Sequence, residues 1–203
     1  MGTKGEATRE RILGAAETLI LEKGYAGMSI DDLLKETSLT KGAFFHHFKG
    51  KASLAREVVE RYARNDFELF REWSERADRL SDDPLERVLI LLRLFEEFLN
   101  GLGKPFPGCV FASYTYESRQ FGPEVHAYIR GSLNEWIGLY EAKLEALIDA
   151  RPPREPVSAR QLAEMAATII EGGFVMAKAF DDANWLQRQS AELRRYLKLL
   201  FKP

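Results

Sequence analysis

The chain has one cysteine in 203 residues, Cys109, so no intrachain disulfide can form and a four-cysteine zinc site is excluded. Histidine is nearly as scarce. His46 and His47 are adjacent and His126 lies far away, so no His-Glu-x-x-His spacing exists to hold a catalytic zinc. The chain also has no Gly-x-Ser-x-Gly elbow, P-loop or dinucleotide-binding glycine pattern. Its carboxylate pairs, Glu96-Glu97 and Asp181-Asp182, are sequence neighbours and therefore diverge on a helix. These absences leave no catalytic residue, metal site or cofactor to assign, and set an enzyme aside. No apolar run reaches the roughly 18 residues needed to span a bilayer. The opening Met-Gly-Thr-Lys-Gly-Glu is polar and holds no secretory core, so the expected location is the cytoplasm, away from membranes.

Apolar residues make up 45% and charged residues 30%, the profile of a globular domain rather than a disordered one. The apolar spacing is helical almost throughout and no strand pattern stands out, which predicts an all-α fold of about nine helices. Ile12, Leu13, Ala16, Leu19 and Ile20 form one stripe, with Gly24 as its expected stop. Ser29 caps a second helix, with Asp31 and Asp32 in its first turn, running to Thr37. Thr40 caps a third, short helix reaching about Phe48, and a long fourth helix covers 51–80. Asp83 and Pro84 then start an interior helix. Gly101, Gly103, Pro105 and Pro107 make the clearest break, followed by helices near 108–119, 123–149, 158–181 and 185–201.

The net charge of −2 says nothing about nucleic acid, but its placement does. Between Ser38 and Lys51 lie Lys41, Lys49, Lys51, His46 and His47, with no acid. Two short helices joined by the three-residue turn Thr37-Ser38-Leu39 have the dimensions of a helix-turn-helix. Thr40 satisfies a free amide at the start of the second of them, where the dipole favours phosphate. Gly42 and Ala43 are poor core residues that permit close backbone approach to DNA. Phe44 and Phe48, four apart, face the protein, leaving Phe45, His46 and His47 toward a major groove or its rim. Phe45 can touch thymine methyls or sugar, His47 can donate to a phosphate or base edge, and Lys51 can clamp a phosphate. For Ser29 and Thr40 capping alone is the competing role; for His46 it is plain exposure.

The segments Thr8–Ala16, Gly24-Tyr25, Met28–Leu33 and Ser38–Lys51 resemble the N-terminal domain of the TetR family of bacterial transcriptional repressors, over about residues 6–66. The resemblance implies phosphate contacts from Ser29 and Thr40, base contacts from Lys41, Gly42 and Ala43, and backbone contacts from His47 and Lys51. The family usually has tyrosine where Phe45 stands, so this chain lacks a hydroxyl that commonly reaches phosphate. The resemblance also implies that residues 67–203 form a helical bundle that binds a small-molecule inducer and dimerises. The expected partners are therefore a palindromic double-stranded operator, a second copy of the chain and an inducer. An activator, or a regulator answering to a protein partner, is the alternative.

The residues of the bundle give candidates for both roles. Leu162, Met165, Ala166, Ile169, Ile170, Gly173 and Ala177, with Leu193, Tyr196, Leu197 and Leu200, are apolar stripes that are either the core of one subunit or half of a four-helix interface; they are the dimerisation candidates. Ser113, Tyr116, Glu171 and Lys178 are polar anchors for a ligand among aromatics that include Trp136 and Phe174. Cys109 is a further ligand or thiol-sensing candidate, because Pro107-Gly108-Cys109-Val110 places it in the first turn of a helix, where the dipole favours a thiolate. Its setting resembles the Gly-Cys segment of a family subset that senses electrophiles. The competing role is that of a small buried apolar residue.

Overall fold

A computed structural model describes residues 4–102 and 106–202. Among them are nine α-helices, one 3-10 turn and no strand, in agreement with the all-α expectation. The break expected at 101–107 lies in part outside the described residues, at 103–105. The chain divides into two compact units, Met1–Asp66 with Pro107–Gly131, and Phe67–Phe106 with Ser132–Pro203.

In the first unit, α1 (Lys4–Gly27) buries Ile12, Leu13, Ala16 and Ile20. Its helical run breaks at Gly24, as its sequence predicts, with φ 77 and ψ 164, and a short further turn carries on to Gly27. Glycine is required at that corner because an L side chain is strained at positive φ. Helix α2 (Ile30–Thr37) begins with a reciprocal cap: Asp32 N–H donates to Ser29 Oγ at 3.0 Å, and Ser29 N–H donates to Asp32 Oδ2 at 3.1 Å. Ser38, left-handed at φ 52, stops it. Helix α3 (Lys41–His47) is capped by Thr40, whose Oγ1 accepts from Ala43 N–H at 3.2 Å. Helix α4 (Lys51–Leu80) starts in this unit and is tied to α1 by Arg61, which donates to Glu10 at 2.8 Å and Glu17 at 2.6 Å, and by the Arg9–Glu57 pair. Burial raises the pKa of Glu17, against the pull of Arg61.

Helix α6 (Val110–Tyr116), the 3-10 turn Ser118–Gln120 and the start of α7 (Pro123–Ala150) complete the first unit. Tyr114 is fully buried there and donates to Ala55 O at 2.9 Å. Its ring stacks on Phe121 at 4.2 Å, and Phe121 meets Tyr25 at 4.6 Å.

The second unit is built on α5 (Pro84–Gly101), α8 (Ala159–Ala179) and α9 (Trp185–Leu200), with the later parts of α4 and α7. Asp83 caps α5 by accepting from Leu85 N–H at 2.7 Å, with Pro84 in the first turn, as the sequence predicts. Eight residues of α5 are buried, which makes it the interior helix its all-round apolar pattern implies. Leu85, Val88, Leu89, Leu91 and Leu92 among them pack with Phe70, Tyr140, Leu144, Leu162, Ala166, Leu193 and Leu197 into one core. Gly173 lets α9 come close to α8: a Cβ there would lie 2.3 Å from Leu186 Cδ1.

Candidate nucleic-acid interface

Helix α3 is amphipathic at the scale of two turns. Phe44 and Phe48 are sealed beneath it, their rings stacked 5.7 Å apart, and each contributes about 1.5–3 kcal/mol of apolar burial. Phe45, next in sequence, is 46% exposed, an uncommon placement for a large aromatic. Lys41, Gly42 and His46 are exposed beside it, while Ala43 and His47 are half-buried. A Cβ on Gly42 would meet nothing within 4 Å, so no packing inside the chain demands glycine there. Ser29 and Thr40 are exposed as well as capping, and the dipole-bearing helix starts beside them are open to an anion, although the Ser29 hydroxyl also donates to Asp32 Oδ2 at 2.8 Å. The structure therefore brings Ser29, Thr40, Lys41, Gly42, Ala43, Phe45, His46 and His47 to accessible positions on α2 and α3.

Lys51 is more tightly held than a free clamp. Its Nζ donates to Ala26 O at 3.3 Å and lies 4.3 Å from the centre of the Tyr25 ring. Burial lowers its pKa, and the nearby Glu117 carboxylate counters that shift. The ammonium is thus fixed at the α1–α2 corner, against Tyr25 and Ala26.

The α2 cap has a pH signature. Asp32 is held at about 2, below its ordinary 3.8, first by the Ser29 hydroxyl, then by the Ser29 amide and by Lys23 at 3.2 Å. Because the folded value lies below the unfolded one, this stabilisation is complete above about pH 4 and is lost as pH falls toward about 2. Amide exchange in α2 is expected to quicken over that window. Asp32→Asn should show the faster exchange already at neutral pH and little change through the acid range; a wild-type-like acid response in the variant would contradict the assignment.

The ligand candidates do not gather in one unit. Cys109, Ser113 and Tyr116 belong to the first, and Trp136, Glu171, Phe174 and Lys178 to the second. Cys109 is 5% exposed and is the N-cap of α6 rather than a residue of its first turn. The Ser113 hydroxyl is spent on its own helix, donating to Cys109 O at 3.2 Å, and Tyr116 is 76% exposed. In the second unit Phe174 stacks on Phe106 at 4.8 Å and meets Phe95 at 6.5 Å, while Trp73 meets Phe95 and Phe98 at 6.1 and 5.3 Å. Trp136 packs instead on Phe70 and Tyr140. A cavity of about 10 Å³ between Val88, Leu92, Tyr140 and Leu162 has room for one water and not for an effector.

Most of the dimerisation candidates lie inside their own subunit. Leu162, Ala166, Ile170, Gly173, Ala177, Leu193, Leu197 and Leu200 are buried, and Met165 and Ile169 are half-buried, both packed against the same core. Tyr196 alone of the set is exposed. The outward apolar residues of these helices are others: Val175 and Met176 on α8, Leu199 on α9, and Phe180 just beyond α8. Among the described residues no cluster of three or more metal-ligating side chains occurs, and no helix is long and apolar enough to cross a membrane.

Residues 12–58 match the pattern of the bacterial regulatory proteins of the TetR family, and residues 84–193 match the tetracyclin repressor-like C-terminal domain. The chain belongs to the TetR family. The helix-turn-helix of α2 and α3 lies within residues 12–58, the part that matches the family's bacterial regulatory proteins. Among curated relatives, the Escherichia coli repressor NemR is 38% identical over 55 residues, 27% of this chain and 28% of NemR. The Bacillus subtilis regulator LmrA is 27% identical over 181 residues, 84% of this chain and 86% of LmrA. The first relatives are thus matched over less than a third of their length. A TetR-type transcriptional regulator from Chloroflexus aurantiacus has the same fold, with TM-score 0.80 and 25% identity over 96% of each chain.

Proposed function

We propose that this TetR-family chain is a dimeric repressor that reads a palindromic operator with α3 and leaves it when a small molecule binds the second unit. The carrying observation is the two-sided α3: Phe44 and Phe48 anchor it from below while Lys41, Gly42, Phe45 and His46 stand in solvent. Lys41, Gly42 and Ala43 meet bases, Phe45 packs on thymine methyl or sugar, and Ser29, Thr40, His47 and Lys51 take phosphates. NemR, matched over this same domain, is a repressor. Operator reading places the protein's work in the cytoplasm.

The dimer forms through the outward faces of α8 and α9, where Met176, Tyr196 and Leu199 are exposed and Gly172 has open space around its Cβ position, room for a partner helix. The effector is an apolar or aromatic small molecule held against Trp73, Phe98, Phe106 and Phe174. At 5% exposure Cys109 fills the place of a small apolar residue, which favours a diffusible ligand over thiol chemistry as the release signal. Release is a population shift: a ligand that binds the DNA-incompetent state more tightly weakens operator binding, and operator DNA weakens the ligand equally.

Lys41→Ala and His47→Ala are expected each to remove a contact worth about 1–3 kcal/mol per half-site, enough in a symmetric dimer to abolish a gel shift with helicity unchanged. Undiminished binding by either variant would remove that residue from the interface.

A further inference from the structure

Where α1 bends at Gly24, the amides of Tyr25 and Ala26 lose their carbonyl partners one turn back, as the first amides of any helical turn do. Both are met by one side chain far away in sequence. Glu117, the C-cap of α6, accepts from Tyr25 N–H through Oε1 and from Ala26 N–H through Oε2, each at 2.7 Å. The first of these bonds spans 92 residues. Gly24 is needed twice over: for its φ of 77, and because a Cβ there would stand 2.5 Å from Glu117 Oε1. The Glu117 backbone is held from its own side too, since Gln120 N–H donates to its carbonyl O at 2.8 Å, and Phe121 stacks on Tyr114 and meets Tyr25 at a tilt. The same corner carries the Lys51 contact to Ala26 O and leads directly to the Ser29 cap.

We propose that Glu117 is a positioning residue for DNA reading: its carboxylate clips the α1–α2 corner, so that Ser29 and Lys51 meet the DNA backbone together. A pair of charge-assisted bonds to amides is among the stronger polar contacts a surface can make. It holds the corner to a helix that lies outside the helix-turn-helix in sequence. Glu117 touches no DNA in this scheme and acts through Lys51 and the start of α2. The inference rests on the DNA-reading role of α2–α3.

The test uses the full-length protein and a duplex that the wild type itself selects from a random-sequence pool. Retention of that duplex by the wild type tests DNA reading; Glu117→Gln and Glu117→Ala test the clip. Glu117→Gln, which keeps the shape and one acceptor, is expected to weaken duplex binding about tenfold, and Glu117→Ala to weaken it further. The log–log salt slope should become shallower by about two, one for each subunit of the dimer, because Lys51 no longer holds its phosphate in either half-site. Amide exchange at Tyr25 and Ala26 should quicken in both variants without DNA present, a readout independent of the DNA-reading role. Should the alanine variant fold poorly, the glutamine variant carries the comparison alone. Wild-type affinity in Glu117→Gln, weaker binding with an unchanged salt slope, or unchanged exchange at the two amides would each overturn the proposal.

Discussion

Phe44→Ala is expected to destabilise the reading head by about 3–5 kcal/mol, the cost of emptying a fully enclosed aromatic site. Phe45→Ala, one residue along, should change stability by no more than about 0.5 kcal/mol. The two side chains are chemically identical, so the contrast isolates the orientation of α3. Phe44 fills the space beneath α3 against Phe48, and Arg9 lies over the Phe48 ring at 5.5 Å. Removing Phe44 leaves a cavity that one short helix cannot close. Phe45 meets Phe44 only edge-on at 5.2 Å and otherwise faces solvent. Urea unfolding followed by circular dichroism measures both variants. Equal losses would mean that α3 is rotated and that the interface assigned to it is wrong.

The combined change Met176→Asp and Leu199→Asp is expected to give a folded monomer whose operator affinity falls about a hundredfold or more. Each half-site then binds without the high effective concentration of its partner. The expectation depends on which face of α9 points outward. Leu199 is 56% exposed whereas Leu197, two residues earlier, is 3% exposed within the core. An aspartate at 199 therefore meets solvent in the monomer and a desolvated apolar surface in the dimer, where an unpaired charge is costly. Leu197→Asp would unfold the subunit instead. Sedimentation of the double variant at micromolar concentration reads the outcome. A persisting dimer would move the interface away from α8 and α9.

What was legible in the sequence was mostly local. Ser29 with Asp32, Thr40, and Asp83 with Pro84 announce helix starts because the cap and its amide lie within three residues of each other. The i, i+4 spacing of Phe44 and Phe48 likewise gives the buried side of α3, and with it the exposed side. Long-range pairings were not legible. Nothing in the composition of 107–131 shows that it packs with the first 66 residues, since Tyr114, Phe121 and Val125 would suit any core. Glu117 reads as one acid among many until Gly24 bends α1 toward it. The apolar stripes of α8 and α9 share a related ambiguity: a core and an interface select the same residue types. Thus the pattern of Leu193 and Leu197 suits a core or an interface alike, and only the structure separates them from the exposed Met176 and Leu199. Sequence alone does not separate a ligand-anchoring Ser113 from a helical serine that donates to the carbonyl four residues back, as this one does.

Hydroxyl-radical footprinting of the wild-type protein on the DNA upstream of its own gene bears most directly on operator reading by paired α3 helices. Two protected half-sites related by a dyad are predicted, with centres about 34–36 Å apart or a multiple of that distance, and both protections should vanish with Lys41→Ala. A single asymmetric footprint, or one that Lys41→Ala leaves unchanged, would contradict it.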